Sequence, residues 1–140
     1  MDIQPALTSK SAECIRVLLI EDNPGDARLI REILARARGT QFELERVERL
    51  SEGLERLTAG GFQAILLDLT LPDSTGLDTF FRVRAQAPHI PITVLSGYDD
   101  EVVAIRAVRE GAQDYLVKGQ VDRNLLVRAL RYAIERKRSE

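Results

Sequence analysis

The segment Ala64-Ile-Leu-Leu-Asp68-Leu-Thr-Leu-Pro72-Asp-Ser-Thr-Gly76 places one carboxylate where a buried apolar run becomes a turn. An unbroken apolar run of this length fits a strand covered on both faces. Pro72, Asp73, Ser74 and Gly76 are turn formers. Asp68 therefore stands at the edge of a sheet, facing a crevice. Taken alone, it reads equally well as an aspartate that caps a turn.

The same alternation extends in both directions. Upstream, Ile15-Arg-Val-Leu-Leu-Ile20 is a short apolar run, and Glu21-Asp22-Asn23-Pro24 stops it with a helix-start signal, Pro24 near the first helical position. Leu29, Ile30, Ile33, Leu34 and Ala37 give the next helix its expected buried stripe, opposite Arg28, Arg31, Glu32 and Arg36, and Gly39 follows its end. Phe42-Glu-Leu-Glu-Arg-Val47 alternates imperfectly, as a half-exposed edge strand does. Leu50, Leu54 and Leu57 mark a short helix that ends at Gly60-Gly61. Downstream of Asp68, Leu77, Phe80, Phe81 and Arg84 trace a helix that stops before Pro88 to Pro91, and Ile92-Thr-Val-Leu95 is a strand. Val103, Ala104, Ala107 and Val108 line a fourth helix closed by Gly111, and Tyr115-Leu-Val117 is the fifth strand. Leu125, Leu126, Ala129, Leu130, Ala133 and Ile134 form the apolar face of the last helix. Five strand-helix units with short connections predict an α/β fold, a parallel sheet with helices on both faces.

Composition narrows the function classes. A chain of 140 residues, 44% of them apolar, fits one domain with one ordinary core. A net charge of −2 gives no sign of direct nucleic-acid binding. The lone Cys14 excludes an intramolecular disulfide and a cysteine zinc cluster, and is expected to lie as a small apolar residue beside the first strand. No apolar run approaches the roughly 20 residues of a membrane span, and no charged leader precedes an apolar stretch, which points to a soluble cytoplasmic protein. Met1 to Glu13 lacks periodicity and is expected to be a flexible extension. Arg136-Lys-Arg-Ser-Glu140 reads as the end of a helix cut from something longer, and His89 as a surface residue between two prolines.

Open parallel sheets gather ligands at the carboxyl ends of their strands. That rule brings together Glu21-Asp22 after strand one, Asp68 at the end of strand three, Ser96-Gly97 after strand four and Lys118-Gly119 after strand five. Adjacent carboxylates repel one another and are costly to desolvate, so such a cluster calls for a cation. Oxygen-only ligands from loops suit Mg²⁺. Residue by residue, blander readings remain. Glu21 and Asp22 also favour the start of the next helix through its dipole. Ser96 alone reads as a turn residue, Lys118 as a solvated side chain and Tyr115 as strand packing.

Glu21-Asp22, Asp68 in Leu-Asp-Leu-Thr-Leu-Pro-Asp-Ser-Thr-Gly, Ser96 in Val-Leu-Ser-Gly, and Gly111-Ala-Gln-Asp-Tyr115-Leu-Val-Lys118-Gly resemble the receiver domains of two-component response regulators, over residues 14–138. The resemblance implies a flavodoxin-like sheet of strand order 2-1-3-4-5. It implies that Asp68 accepts a phosphoryl group from a histidine kinase or a histidine phosphotransfer protein. Mg²⁺ is then held by Asp22, Asp68 and the backbone carbonyl of Thr70, with Glu21 acting directly or through water. Lys118 pairs with one phosphoryl oxygen and the Ser96 hydroxyl donates to another. Ser96 and Tyr115 form the switch that reshapes the face made by helix four, strand five and helix five, which is also a candidate homodimer contact. Such a domain is no enzyme beyond its own phosphorylation and dephosphorylation. Thr70 and Tyr98, each two residues past a site residue, are placed to flank the phosphoryl group.

One position departs from the family pattern. Gly119 stands where proline is usual, and without proline a cis bond costs about 2.5–4 kcal/mol, so a trans or flexible Lys118–Gly119 junction is expected. It also keeps open a receiver-like domain that serves protein contacts without phosphorylation. An aspartyl-phosphate phosphatase would carry a second aspartate where this chain has Thr70. A flavin-binding protein of the same topology would need a phosphate-binding loop after strand one, where Glu21 and Asp22 repel phosphate.

Overall fold

Apolar runs and amphipathic stretches alternate without interruption in the computed structural model, which describes residues 13–140. In chain order the elements are β1 (Glu13–Ile20), α1 (Pro24–Ala35), β2 (Thr40–Val47), α2 (Leu50–Ala59), β3 (Ala64–Asp68), α3 (Leu77–Gln86), β4 (Ile92–Ser96), α4 (Glu101–Arg109), β5 (Asp114–Val117) and α5 (Arg123–Arg138). The strands pair in parallel in the order β2-β1-β3-β4-β5, the order that the family resemblance implies. Two short additions escaped the sequence reading: Thr70–Leu71 pairs antiparallel with Ser74–Thr75, and Lys118–Gln120 forms a 3₁₀ turn. No cis peptide bond occurs among the described residues, so Lys118–Gly119 is trans, as the glycine predicts.

Strand periodicity divides the interior in two. Leu18, Ile20, Ile65, Leu67 and Val94 face α2, α3 and α4 through Leu50, Leu57, Phe80, Val83 and Ala107. Their neighbours Val17, Leu19, Leu66, Leu95 and Leu116 face α1 and α5 through Ala27, Ile30, Leu34, Leu126, Leu130 and Ile134. Central strands β3 and β4 are buried at every residue, because helices cover both of their faces. Each fully buried leucine or isoleucine contributes about 1.5–3 kcal/mol relative to exposure. Side-chain caps set the helix starts: Asn23, Asp100 and Asp122 each accept a backbone N–H from the first turn that follows. Among the described residues, no helix is long and apolar enough to cross a membrane.

Several expectations need correction. Leu29 is 52% exposed, since the buried line of α1 runs through Ala27, Ile30 and Leu34, with Ile33 and Ala37 partly covered. Val108 is 49% exposed for the same reason, Ala107 being the residue of α4 that faces the core. Cys14 is exposed, because burial along β1 begins only at Ile15. Glu13 lies in β1 opposite Thr40, so the sheet claims the last residue of the expected extension. The remainder of that extension, residues 1–12, lies outside the described residues.

Candidate functional site

Parallel pairing lets residues distant in sequence meet at one edge. Ile20 is level with Leu67, Asp68 with Leu95, and Ser96 with Val117. The residues at or just beyond these positions, Glu21, Asp22, Asp68, Ser96 and Lys118, therefore share the carboxyl edge of the sheet. Glu21, Asp68 and Ser96 are buried there, and Asp22 is half-buried. Carboxylate oxygens of Glu21, Asp22 and Asp68 lie within 4.8 Å of one another.

Lys118 reaches back into this group. Its Nζ lies 2.7 Å from Glu21 Oε1, 2.9 Å from Asp26 Oδ2 and 3.1 Å from Asp68 Oδ2. Asp26 was not anticipated. Its signal in the sequence is an acidic residue in the first turn of the helix after strand one, a pattern that the helix dipole explains equally well. Burial alone would pull the Lys118 ammonium down. Its bonds to Glu21 and Asp26, with the charge and bond of Asp68, outweigh burial and hold it well above the ordinary lysine range.

Glu21 is raised as well, but here burial prevails. Burial, then the adjoining Asp68 carboxyl, push it up to about 7, against the pull of Lys118 and of the Asn23 N–H. Its Oε2 accepts that N–H at 3.1 Å. Its Oε1 is buried and lies 2.7 Å from the Lys118 ammonium, with no further polar partner. Three carboxylates converge here and the one lysine among them is shared, a set of oxygens that a hard divalent cation satisfies, so these residues fit Mg²⁺.

Neighbours fix the loop that carries the carboxylates. Arg46 of β2 donates from Nε to the Glu21 carbonyl and from a terminal nitrogen to the Asp22 carbonyl, each at 3.0 Å. In the sequence Arg46 shows only the alternation of an edge strand; its role is set by contacts 24 and 25 residues away. Asp68 Oδ1 accepts the Thr70 N–H at 2.9 Å, which leaves Oδ2 to Lys118.

Ser96, Tyr98 and Tyr115 form a second, connected group. Ser96 Oγ accepts the Tyr98 N–H at 3.0 Å, and the Tyr115 hydroxyl donates to the Tyr98 carbonyl at 2.9 Å. Tyr98 thus links the other two through its backbone, while the residue as a whole is 70% exposed. The carboxylates and Lys118 are brought into contact; Ser96 sits one residue past the Asp68–Leu95 pair.

Comparison with known proteins agrees with this geometry. Residues 17–131 match the response regulator receiver domain family. The chain is 34% identical over 104 residues to the swarming motility regulation protein RssB of Serratia marcescens, covering 74% of this chain and 46% of RssB. It is likewise 34% identical over 104 residues to the cell cycle transcriptional regulator CtrA of Caulobacter vibrioides, covering 74% of this chain and 44% of CtrA. The chain therefore spans less than half the length of these two relatives. Among solved structures, a response regulator receiver domain protein from Clostridium thermocellum superposes with a TM-score of 0.76 at 28% identity, over 89% of this chain and 97% of that one. With the family match covering most of its length and the acidic edge where the topology requires it, this chain belongs to the response regulator receiver domain family.

Proposed function

We propose that this chain is a cytoplasmic, phosphorylation-dependent switch of a two-component system, in which Asp68 takes a phosphoryl group from a histidine kinase or a histidine phosphotransfer protein. The observation that carries this reading is Asp68 Oδ2, 3.1 Å from Lys118 Nζ, in a crevice where carboxylate oxygens of Glu21 and Asp22 converge. An Asp68 oxygen attacks phosphorus. The O–P bond forms as the P–N bond to the donor imidazole breaks, and the imidazole nitrogen keeps the electron pair and takes up a proton. Hydrolysis later returns the carboxylate and inorganic phosphate.

The remaining residues position and neutralise. Lys118 moves its hydrogen bond from Asp68 to a phosphoryl oxygen. Ser96 accepts from Tyr98, so its own hydroxyl hydrogen is free to donate to a second oxygen. When bound, Mg²⁺ supplies positive charge against the phosphoryl oxygens; Asp22, Asp68 and the Thr70 carbonyl would hold it, with Glu21 direct or through water. Thr70 and Tyr98 flank the incoming group. Movement of Ser96 is passed through Tyr98 to the Tyr115 hydroxyl and so to the face of α4, β5 and α5. Val102, Ile105 and Val108 are exposed on α4, which gives a partner or a second copy an apolar strip to dock on.

Incubation with Mg²⁺ and acetyl phosphate tests the assignment directly. Intact-mass measurement should find one hydroxylamine-labile phosphoryl group on the wild type and none on Asp68→Asn. Modification that persists in Asp68→Asn would sink the assignment of the acceptor.

A further inference from the structure

We propose that Asp26 is a positioning residue of this site: its carboxylate shares Lys118 with Asp68 and adds negative charge that weakens the hold on a phosphoryl group. The proposal rests on Asp68 being the acceptor. Asp26 Oδ2 lies 2.9 Å from Lys118 Nζ, closer than Asp68 Oδ2 at 3.1 Å. One ammonium thus serves three carboxylates, Glu21 being the third at 2.7 Å.

Asp26 is not committed to other work. It occupies the third position of α1, from which a carboxylate normally reaches back to the N-cap N–H. Here the Asn23 N–H goes to Glu21 Oε2 at 3.1 Å, and Asp26 contributes only its own N–H to the cap, donating to Asn23 Oδ1 at 2.9 Å. Its carboxylate is directed at Lys118 instead. Nor does it belong to the oxygen cluster suited to a cation, which Glu21, Asp22 and Asp68 complete. Its side chain is 38% exposed, against 7% for Asp68, so it forms the solvent-side wall of the lysine.

An incoming phosphoryl group carries about −2 charge at neutral pH and competes for the same ammonium. Asp26 opposes it twice, by drawing on Lys118 and by direct repulsion. Removing one charge about 6 Å from the anion, in a partly exposed crevice, corresponds to about a three- to tenfold change in affinity.

Beryllofluoride titration of the full chain at saturating Mg²⁺, followed by calorimetry, tests this. Asp26→Asn keeps an acceptor oxygen for Lys118 but drops the charge, and should bind the mimic about three- to tenfold tighter than wild type. Asp26→Glu should bind like wild type, and the Asp26→Asn advantage should shrink as ionic strength rises. A purely structural Asp26 would give weaker or unchanged binding in Asp26→Asn, and either result overturns the proposal. A folded wild type that ignores the mimic, or an Asp68→Asn variant that binds it equally well, would instead overturn the acceptor assignment beneath it.

Discussion

Glu21 is fully buried, yet its cationic neighbour Lys118 is shared with Asp26 and Asp68. Burial and the Asp68 carboxyl raise its pKa from 4.5 to about 7. Between those values the folded chain holds a proton that the unfolded chain has released. Stability of the metal-free protein therefore falls as pH rises through that window, and the full contribution is present only below it. With a chelator present, the unfolding free energy from urea titration should fall by on the order of 1–3 kcal/mol between about pH 5 and about pH 7. Glu21→Gln, which cannot titrate, should flatten the curve there; a wild-type midpoint that climbs over the same range contradicts the assignment. Mg²⁺ should bind more tightly as pH rises, because the carboxylate it meets must be ionised. The sequence made Glu21 a candidate ligand but could not reveal this shift, which depends on complete burial and on a shared lysine.

Between elements, the loop after β3 does more than follow Asp68. Asp73 accepts the N–H of Leu50 at 2.8 Å and of Ser51 at 3.0 Å, and so caps α2 from 22 or 23 residues away. Burial works against the ionised Asp73 carboxyl, but the Ser51 and Leu50 N–H groups outweigh it and hold its pKa below the ordinary value of 3.8. Asp73→Ala should cost about 1 kcal/mol in urea unfolding, and Asp73→Asn less, since an amide oxygen still accepts. Equal stability in all three proteins would remove the cap. In the sequence Asp73 is one turn residue among several, because periodicity and local motifs are blind to a partner so far away. Helix faces were legible for a related reason only in their centres. Ile30, Leu34 and Ala107 lie where the 3.6-residue period puts them, but Leu29 and Val108 sit at the margin of the stripe. At that margin about 100° of rotation separates a core residue from a solvated one, and only the neighbouring sheet decides.

The whole molecule turns strand order into chemistry. Five parallel strands with covered faces were legible from alternation alone, and the rule that ligands gather at carboxyl edges then joined Glu21, Asp22, Asp68, Ser96 and Lys118. Asp26, Arg46 and the backbone of Tyr98 were not legible, since each acts through a contact that residue type does not announce. Both hydrophobic clusters share the same sheet, and Asp68 ends its central strand. A ligand held at that edge is therefore held by the native state alone and should stabilise the fold as a unit, following RT ln(1 + [L]/Kd). At 100 times Kd, beryllofluoride with Mg²⁺ should add about 2.7 kcal/mol, which for a chain of this size is about 5–10 °C in the melting midpoint. The shift should grow with ligand concentration in a single transition and vanish in Asp68→Asn. A two-step melt in which only one transition responds would mean that the edge is a local site on an independent half. A single transition that moves as a whole would mean that ligand binding at this edge is coupled to the whole packed sheet, the part beneath α4, β5 and α5 included.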